Sequence, residues 1–331
     1  MKQRLDYIDI AKGFGIILAV MNHTECYRMV SPFIAFTIPI FFFCSGYTSS
    51  SIKGYTMKEN FWRHAVKLLK PYFFFSVLLL LIFHDFSLRA IVGIFYSRYC
   101  FYPFGSQPDI FNLMIIGNYP LWFLTCMVVA YFLYYLIIYN LKYQYLIALF
   151  YVILTIVLRY IPILLPWSID TAFMMSLFMY AGNRSRLFLP NLFQRRPHLI
   201  VIISAIVYIA LIPLTCNINH SIREYGPSVL ICIIGALSGS VVMVYISRLL
   251  ENTLLGKVFQ QIGNHSLAIF CIQIPFILIG KQIAEWIMGD ITINQTSLVI
   301  TAIIQATTAI IGGYLTSIIL HYNNKVKKFV F

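Results

Sequence analysis

Ten stretches of this chain are apolar over most of the length a helix needs to cross a bilayer, and the polar residues gather in short clusters between them. About 20 mostly apolar residues span the hydrocarbon core. Runs of that kind lie near 8–26, 33–50, 66–83, 119–140, 145–165, 170–183, 199–216, 227–247, 265–288 and 297–320. The pattern predicts an all-α polytopic membrane protein, a bundle of about ten transmembrane helices forming a single domain over 1–331 with no soluble domain. The sixth run is short, which suits a tilted helix or one packed wholly against protein. The stretch 88–117 is apolar from Ile91 to Tyr96 but is interrupted by Arg89, Arg98, Pro103, Pro108 and Asp109, and it reads as a long external loop. No internal repeat or low-complexity tract is visible.

Composition agrees with this pattern. Of 331 residues, 60% are hydrophobic and 11% charged, against roughly 45–50% and 25% in an ordinary soluble domain. Asp6, Asp9, Lys12 and His23 break the apolar core that a cleaved signal would need, so the first segment is expected to stay. The net charge of +13 does not point to nucleic acid, because the basic residues sit between the apolar runs rather than on one basic face. With the amino terminus inside, 17 Lys and Arg fall on the cytoplasmic side and six on the other: Arg28, Arg89, Arg98, Arg159, Arg223 and Lys281. Lys12 lies within the first run. That bias places both termini in the cytoplasm, and an extra span at 91–107 would reverse it for the second half. The seven cysteines form no CxxC pair and lie in or beside apolar runs, so they read as small buried hydrophobes.

An ionisable side chain within a span is costly unless it is used. The first run, IDIAKGFGIILAVMNHTE, holds Asp9, Lys12 and His23. Asp9 and Lys12 are i,i+3, and the eleven residues from Lys12 to His23 turn the helix about 20° past three whole turns. The three are therefore expected to face one polar cavity. The plainer alternative is a local Asp9–Lys12 ion pair, with His23 bonded to a neighbouring helix or to the interface. Histidine suits a general base near neutral pH, and the lysine suits an anionic or carbonyl-bearing ligand, by pairing with phosphate or stabilising an oxyanion. Glu25, two residues from His23, lies on another face.

In the second run, FTIPIFFFCSGYTSS, Pro39 and Ser45-Gly46 interrupt an aromatic stretch, which neighbours or a ligand must compensate. Arg63, Lys67 and Lys70 form one cationic face at i, i+4 and i+7; it serves either a ligand or anionic membrane lipids. Asp170 opens the sixth run, as a helix cap or as a ligand contact, and Gln273 lies mid-span and needs a partner. No Gly-rich phosphate loop, HExxH, GxSxG or metal-spaced cluster occurs, so no metal is expected.

Taken together and in order, RLDYIDIAKGFGIILAVMNH, IPIFFFCSGY, LLKPY, PLWFL, WSID with Tyr180–Asn183, and NHSLAIFCIQ resemble the acyltransferase family 3 group of membrane acyltransferases, within it the fucose 4-O-acetylase-like branch. The resemblance implies a ten-helix bundle that moves an acetyl or other short acyl group from acetyl-CoA to a hydroxyl of a surface polysaccharide or lipid-linked glycan, in a bacterial inner membrane. The family's basic residue, ten positions, then histidine falls on Lys12 and His23. Lysine, unlike the arginine of many relatives, cannot make a bidentate fork. Relatives often carry histidines where this chain has Thr37 and Gln273, which counts against a mechanism needing a second histidine. The resemblance thus implies His23 as base, Lys12 stabilising the donor and Asp9 beside them. Arg63, Lys67, Lys70 and Ser45 fall on the donor side, and Asp170, Trp122, Gln273 and Asn22 on the acceptor side. A secondary transporter or glycan-lipid exporter using Asp9, Lys12 and His23 as a proton relay is the alternative, although the paired broken helices of transporters are not visible. A structural or assembly subunit would need no charged stripe.

Overall fold

The computed structural model describes residues 5–25, 27–49, 55–98, 100–102, 120–195, 197–288 and 295–331, with backbone alone for 187–195 and Pro197. Among these residues the chain is helical apart from turns and one isolated antiparallel bridge between Asn219 and Glu224. Helix α1 (Asp6–Met21) leads into a broken run of α2 (Tyr27–Val30), a 3-10 turn (Ser31–Phe33), α3 (Ile34–Thr37) and α4 (Pro39–Thr48). There follow α5 (Met57–Phe83), α6 (Leu88–Tyr96), α7 (Trp122–Tyr139), α8 (Gln144–Leu158) and α9 (Ile169–Arg195). The chain ends with α10 (Pro197–Thr215), α11 (Val229–Leu249), α12 (Leu254–Asn264), α13 (Ser266–Met288), α14 (Gln295–Tyr322) and α15 (Asn324–Val330).

Each of the ten apolar runs contains helix among the described residues. Among the described residues seven helices are long and apolar enough to span a membrane: Tyr27–Thr48, α5, α7, α10 from His198, α11, α13 and α14. The other three fall short for separate reasons. Helix α1 has 16 residues, among them Asp6, Asp9 and Lys12, and α8 has 15. Helix α9 is not short, as its apolar run suggested. It covers 27 residues and continues through Arg184 and Arg186, which dilutes its apolar first half. The stretch from 88 is not loop at its start: Leu88–Tyr96 is a helix, N-capped by the Ser87 hydroxyl accepting from the Ala90 amide at 3.2 Å. Its apolar residues are too few to reveal themselves as a membrane run. Residues 103–119 lie outside the described residues, as do Lys2, Arg4, Cys26, Lys53 and Arg196. Of the remaining cysteines, Cys44, Cys100, Cys126, Cys232 and Cys271 are buried and Cys216 is partly exposed.

Two glycine contacts set how closely the central helices approach. A Cβ on Gly263 would stand 1.8 Å from the Asp9 carbonyl oxygen, so α12 lies backbone to backbone against the first turns of α1. A Cβ on Gly46 would stand 1.8 Å from the Met179 carbonyl oxygen, which fixes α4 against α9 in the same way. Phe14 and Phe259 stack at 3.9 Å beside the first contact.

A buried charge cluster ties three connections together at one end of the bundle. Asp170 is fully buried, and its carboxylate receives Arg98 on one oxygen and the Arg223 Nε on the other at 3.2 Å, both arginines being almost fully buried. The Leu165 amide donates to the same carboxylate at 3.0 Å. Arg98 also donates to the carbonyls of Leu165 and Ser221, and Arg223 to those of Leu158, Ile161 and Ile163. Arg223 has φ of 63°, a left-handed conformation that costs roughly 1–2 kcal/mol and is held by these contacts.

Replacing Asp170 with alanine leaves two guanidinium groups buried without a counter-charge, so it is expected to destabilise the protein by about 3–5 kcal/mol. Glu25→Ala removes the half-exposed Glu25–Lys281 pair and is expected to cost at most about 1 kcal/mol. Thermal unfolding of the two variants in detergent gives the comparison; equal shifts would contradict the assignment of Asp170 as the tie.

Candidate active site

Helix α1 carries the two side chains of interest toward opposite ends of the bundle. Eleven positions at 1.5 Å rise put about 16 Å of helix between Lys12 and His23. At the first end, Lys12 lies 3.4 Å from the Asp9 carboxylate, and both line a cavity of about 290 Å³ together with Ser45, Asn264 and Met127. At the other, α1 ends at Met21 and His23 folds back over its last turn. The His23 Nδ1 stands 2.8 Å from the Ala19 carbonyl. A carbonyl only accepts, so Nδ1 carries the proton there and Nε2 is the basic nitrogen of the neutral ring. His23 lines a second cavity, of about 690 Å³, with Asn22, Thr37 and Trp122 on its wall.

The expectation that Lys12 and His23 share one cavity is corrected by this arrangement. Lys12 lies on α1 and His23 in the turn just past its end, and an aromatic layer divides the space between them. Phe270 lines both cavities. Its ring lies 4.8 Å from that of Phe123, and Phe123 packs edge-on against Phe41 at 5.6 Å and Phe42 at 5.3 Å. Helical periodicity gives direction around the axis; it carries nothing about what other helices insert between two levels.

The remaining candidates separate cleanly. Asn22 and Trp122 line the larger cavity with His23. Gln273 is fully buried beside the His23 ring; its amide Nε2 donates to the Phe270 carbonyl at 3.0 Å, and its oxygen is left as a buried acceptor on that side. Ser45 joins Lys12 and Asp9. Arg63, Lys67 and Lys70 lie on the exposed face of α5 and do not line either cavity. Arg63 stacks over the Tyr55 ring at 4.5 Å and Lys70 donates to the Lys328 carbonyl at 2.8 Å, while their neighbour Leu68 lines the smaller cavity. Asp170 does not line the larger cavity: both of its oxygens are taken by the arginine cluster, so its part is to fix the wall. Glu25 turns away from His23 to pair with Lys281 at 2.8 Å.

The sequence reading missed one side of the larger cavity altogether. The α10–α11 connection contributes Asn217, Asn219, His220, Ser221 and Glu224, from a polar run, NINHSIRE, between two apolar helices. Its density of hydrogen-bonding residues was the available signal. Arg98 and Arg223 were legible as charges on that side but not as partners of Asp170.

A family model described as an acyltransferase domain matches residues 5–322. The chain belongs to acyltransferase family 3. The match runs from the start of α1 to the end of α14 and so includes both cavities. No curated protein matches the chain. The acyltransferase is an integral membrane protein, and its helices set two polar cavities against the two ends of α1.

Cys216 also lines the larger cavity. In a variant keeping Cys216 as its one cysteine, a small charged thiol reagent is expected to modify it from the His23 side of the membrane and not from the Lys12 side. Labelling of sealed vesicles in both orientations reads this out, and modification from the Lys12 side would mean that the aromatic layer does not hold back a small charged molecule.

Proposed function

We propose that this acyltransferase moves an acetyl or other short acyl group from acetyl-CoA to a hydroxyl of a surface polysaccharide or lipid-linked glycan, in a bacterial inner membrane with both termini in the cytoplasm. The observation that carries this reading is the meeting of two cavities at Phe270, with a lysine in one and a histidine in the other. The donor occupies the Lys12 cavity from the cytoplasmic mouth, where Lys12 and the basic face of α5 attract its phosphates. Its pantetheine arm passes the Phe270 layer and presents the thioester to His23. At about 16 Å of helix away, Lys12 does not reach an oxyanion formed beside His23, so of its two readings the donor-binding one is kept.

The acceptor hydroxyl occupies the larger cavity. His23 Nε2 takes its proton as the oxygen attacks the thioester carbonyl, and the tetrahedral intermediate then expels the coenzyme A thiolate. The imidazolium returns the proton to that sulfur, leaving an ester and free coenzyme A. Gln273 suits this cycle because an amide oxygen beside the ring stabilises the Nε2–H of the protonated state. Asn22, on the same wall, offers an amide for the oxyanion. The exporter alternative requires a path wide enough for a whole saccharide between the two cavities, not only for a slender thioester arm, and the Phe41, Phe123 and Phe270 rings crowd that level.

Purified protein with acetyl-CoA is expected to release free coenzyme A, and His23→Ala to lower that release by about 100-fold or more, the usual weight of a general base. Lys12→Ala is expected to raise the donor KM by about 10-fold, with a smaller change in kcat. A thiol assay with both variants decides; release that neither substitution alters would sink the reading.

A further inference from the structure

His220 is an unexpected second histidine on the wall of the larger cavity. It sits in a short 3-10 turn, His220–Ile222, between α10 and α11 and is 3% exposed. Its Nε2 lies 3.3 Å from the Ala35 carbonyl. That carbonyl is one a continuous helix would bond to the amide of residue 39, and residue 39 is proline, which has none. His220 therefore donates its Nε2–H to the carbonyl that Pro39 leaves bare, which holds the broken α3–α4 run together and leaves Nδ1 as the acceptor nitrogen. Nδ1 is buried and has no hydrogen-bond partner. A buried polar atom of this kind asks for an explanation.

The turn that presents His220 is rigid. Its carbonyl accepts from the Thr171 hydroxyl at 3.1 Å, and the next carbonyl, of Ser221, accepts from Arg98. Asn219 and Glu224 bridge the two ends of the turn through bonds of 2.8 and 3.0 Å, and the Asn219 side chain accepts from both the amide and the hydroxyl of Ser221. The Asp170 cluster thus anchors the loop on which the imidazole stands. Burial pushes the His220 pKa down to about 4, so the ring is neutral at pH 7 and offers a lone pair rather than a charge. The wall of the same cavity combines the aromatic Trp122 and the amides of Asn22 and Asn217 with the opposite charges of Arg28 and Glu224, and a cavity of this size accommodates a small ligand.

We propose that His220 is an acceptor-binding residue whose Nδ1 takes a hydrogen bond from a hydroxyl of a neutral, polyhydroxylated ring held in the larger cavity. The proposal rests on the acyl-transfer reading and deepens it, assigning to His220 the positioning of the acceptor and to His23 the removal of its proton. A single neutral hydrogen bond at a buried site is worth about 3- to 10-fold in binding. The same geometry allows a purely structural role, in which Nε2 alone matters and a water satisfies Nδ1. Two isosteric substitutions separate these. His220→Gln keeps an amide N–H near the Nε2 position for the Ala35 carbonyl and has no acceptor at the Nδ1 position; His220→Asn puts an amide oxygen near Nδ1 and gives up the bond to Ala35.

The experiment supplies purified acyltransferase with acetyl-CoA and a panel of methyl glycopyranosides, and measures the ratio of acetyl glycoside to acetate. For His220→Gln the ratio is expected to fall by about 3- to 10-fold, with a matching rise in glycoside KM, and His220→Asn is expected to recover most of it. A ratio unchanged in His220→Gln overturns the inference, as does loss in His220→Asn with recovery in His220→Gln, the pattern of a structural role. Acetate but no acetyl glycoside from the wild type overturns the ligand class, and neither product from the wild type counts against acyl transfer from acetyl-CoA itself. If the variants do not fold, the Nδ1 resonance of wild-type protein labelled with 15N-histidine is expected to shift on adding glycoside, and an unmoved resonance has the same weight as an unchanged ratio.

Discussion

A helix in contact with another helix at backbone distance cannot rotate, and that constraint on α1 underlies the rest of the arrangement. Gly263 lets α12 meet α1 at the Asp9 carbonyl, and any larger side chain there would push the helices apart. With α1 locked, Lys12 takes a direction set by helical geometry, and the length of the helix sets its separation from His23, which stands in the turn just past the helix end. The His23 ring is then fixed a second time, by the carbonyl of Ala19 on its own helix. A histidine spending one nitrogen on its helix terminus has one defined basic nitrogen, so the helix end selects the tautomer.

The opposite wall depends on a different force. Within a membrane-spanning bundle an unpaired charge is far more costly than in water, and Asp170 gathers two arginines from distant parts of the chain because none of the three could stay buried alone. Between them, the arginines hold carbonyls from both flanking connections. Stability and function meet there, since the cluster that satisfies three charges also presents His220. The broken α2–α4 run supplies the reciprocal part: Pro39 removes a donor, and the Ala35 carbonyl it leaves is met by that same histidine.

What the sequence revealed and what it concealed divide along physical lines. The positions of the ten apolar runs were legible because a bilayer imposes a length, and all ten contain helix among the described residues, with boundaries that moved where polar residues prolong a helix, as in α9 and α5. Helices α6, α12 and α15 gave no such signal because they are short or amphipathic. The lysine and histidine at α1 were legible from their spacing; the aromatic layer was not, because Phe41, Phe123 and Phe270 come from three different helices. Asp170 looked like a cap or a ligand contact, since nothing in its neighbourhood names Arg98 or Arg223. His220 was hidden in a short polar connection, where a lone histidine carries little information until its partner, a carbonyl released by a proline about 180 residues earlier, is known.

The central claim is that donor and acceptor occupy separate cavities that meet at Phe270. Proteoliposomes in one orientation, with acetyl-CoA supplied only on the Lys12 side and a methyl glycoside only on the His23 side, test it directly. The account predicts free coenzyme A on the first side and acetyl glycoside on the second, both lost in Phe270→Trp, where a larger ring fills the junction. Product formed only when both substrates are on the same side would contradict it.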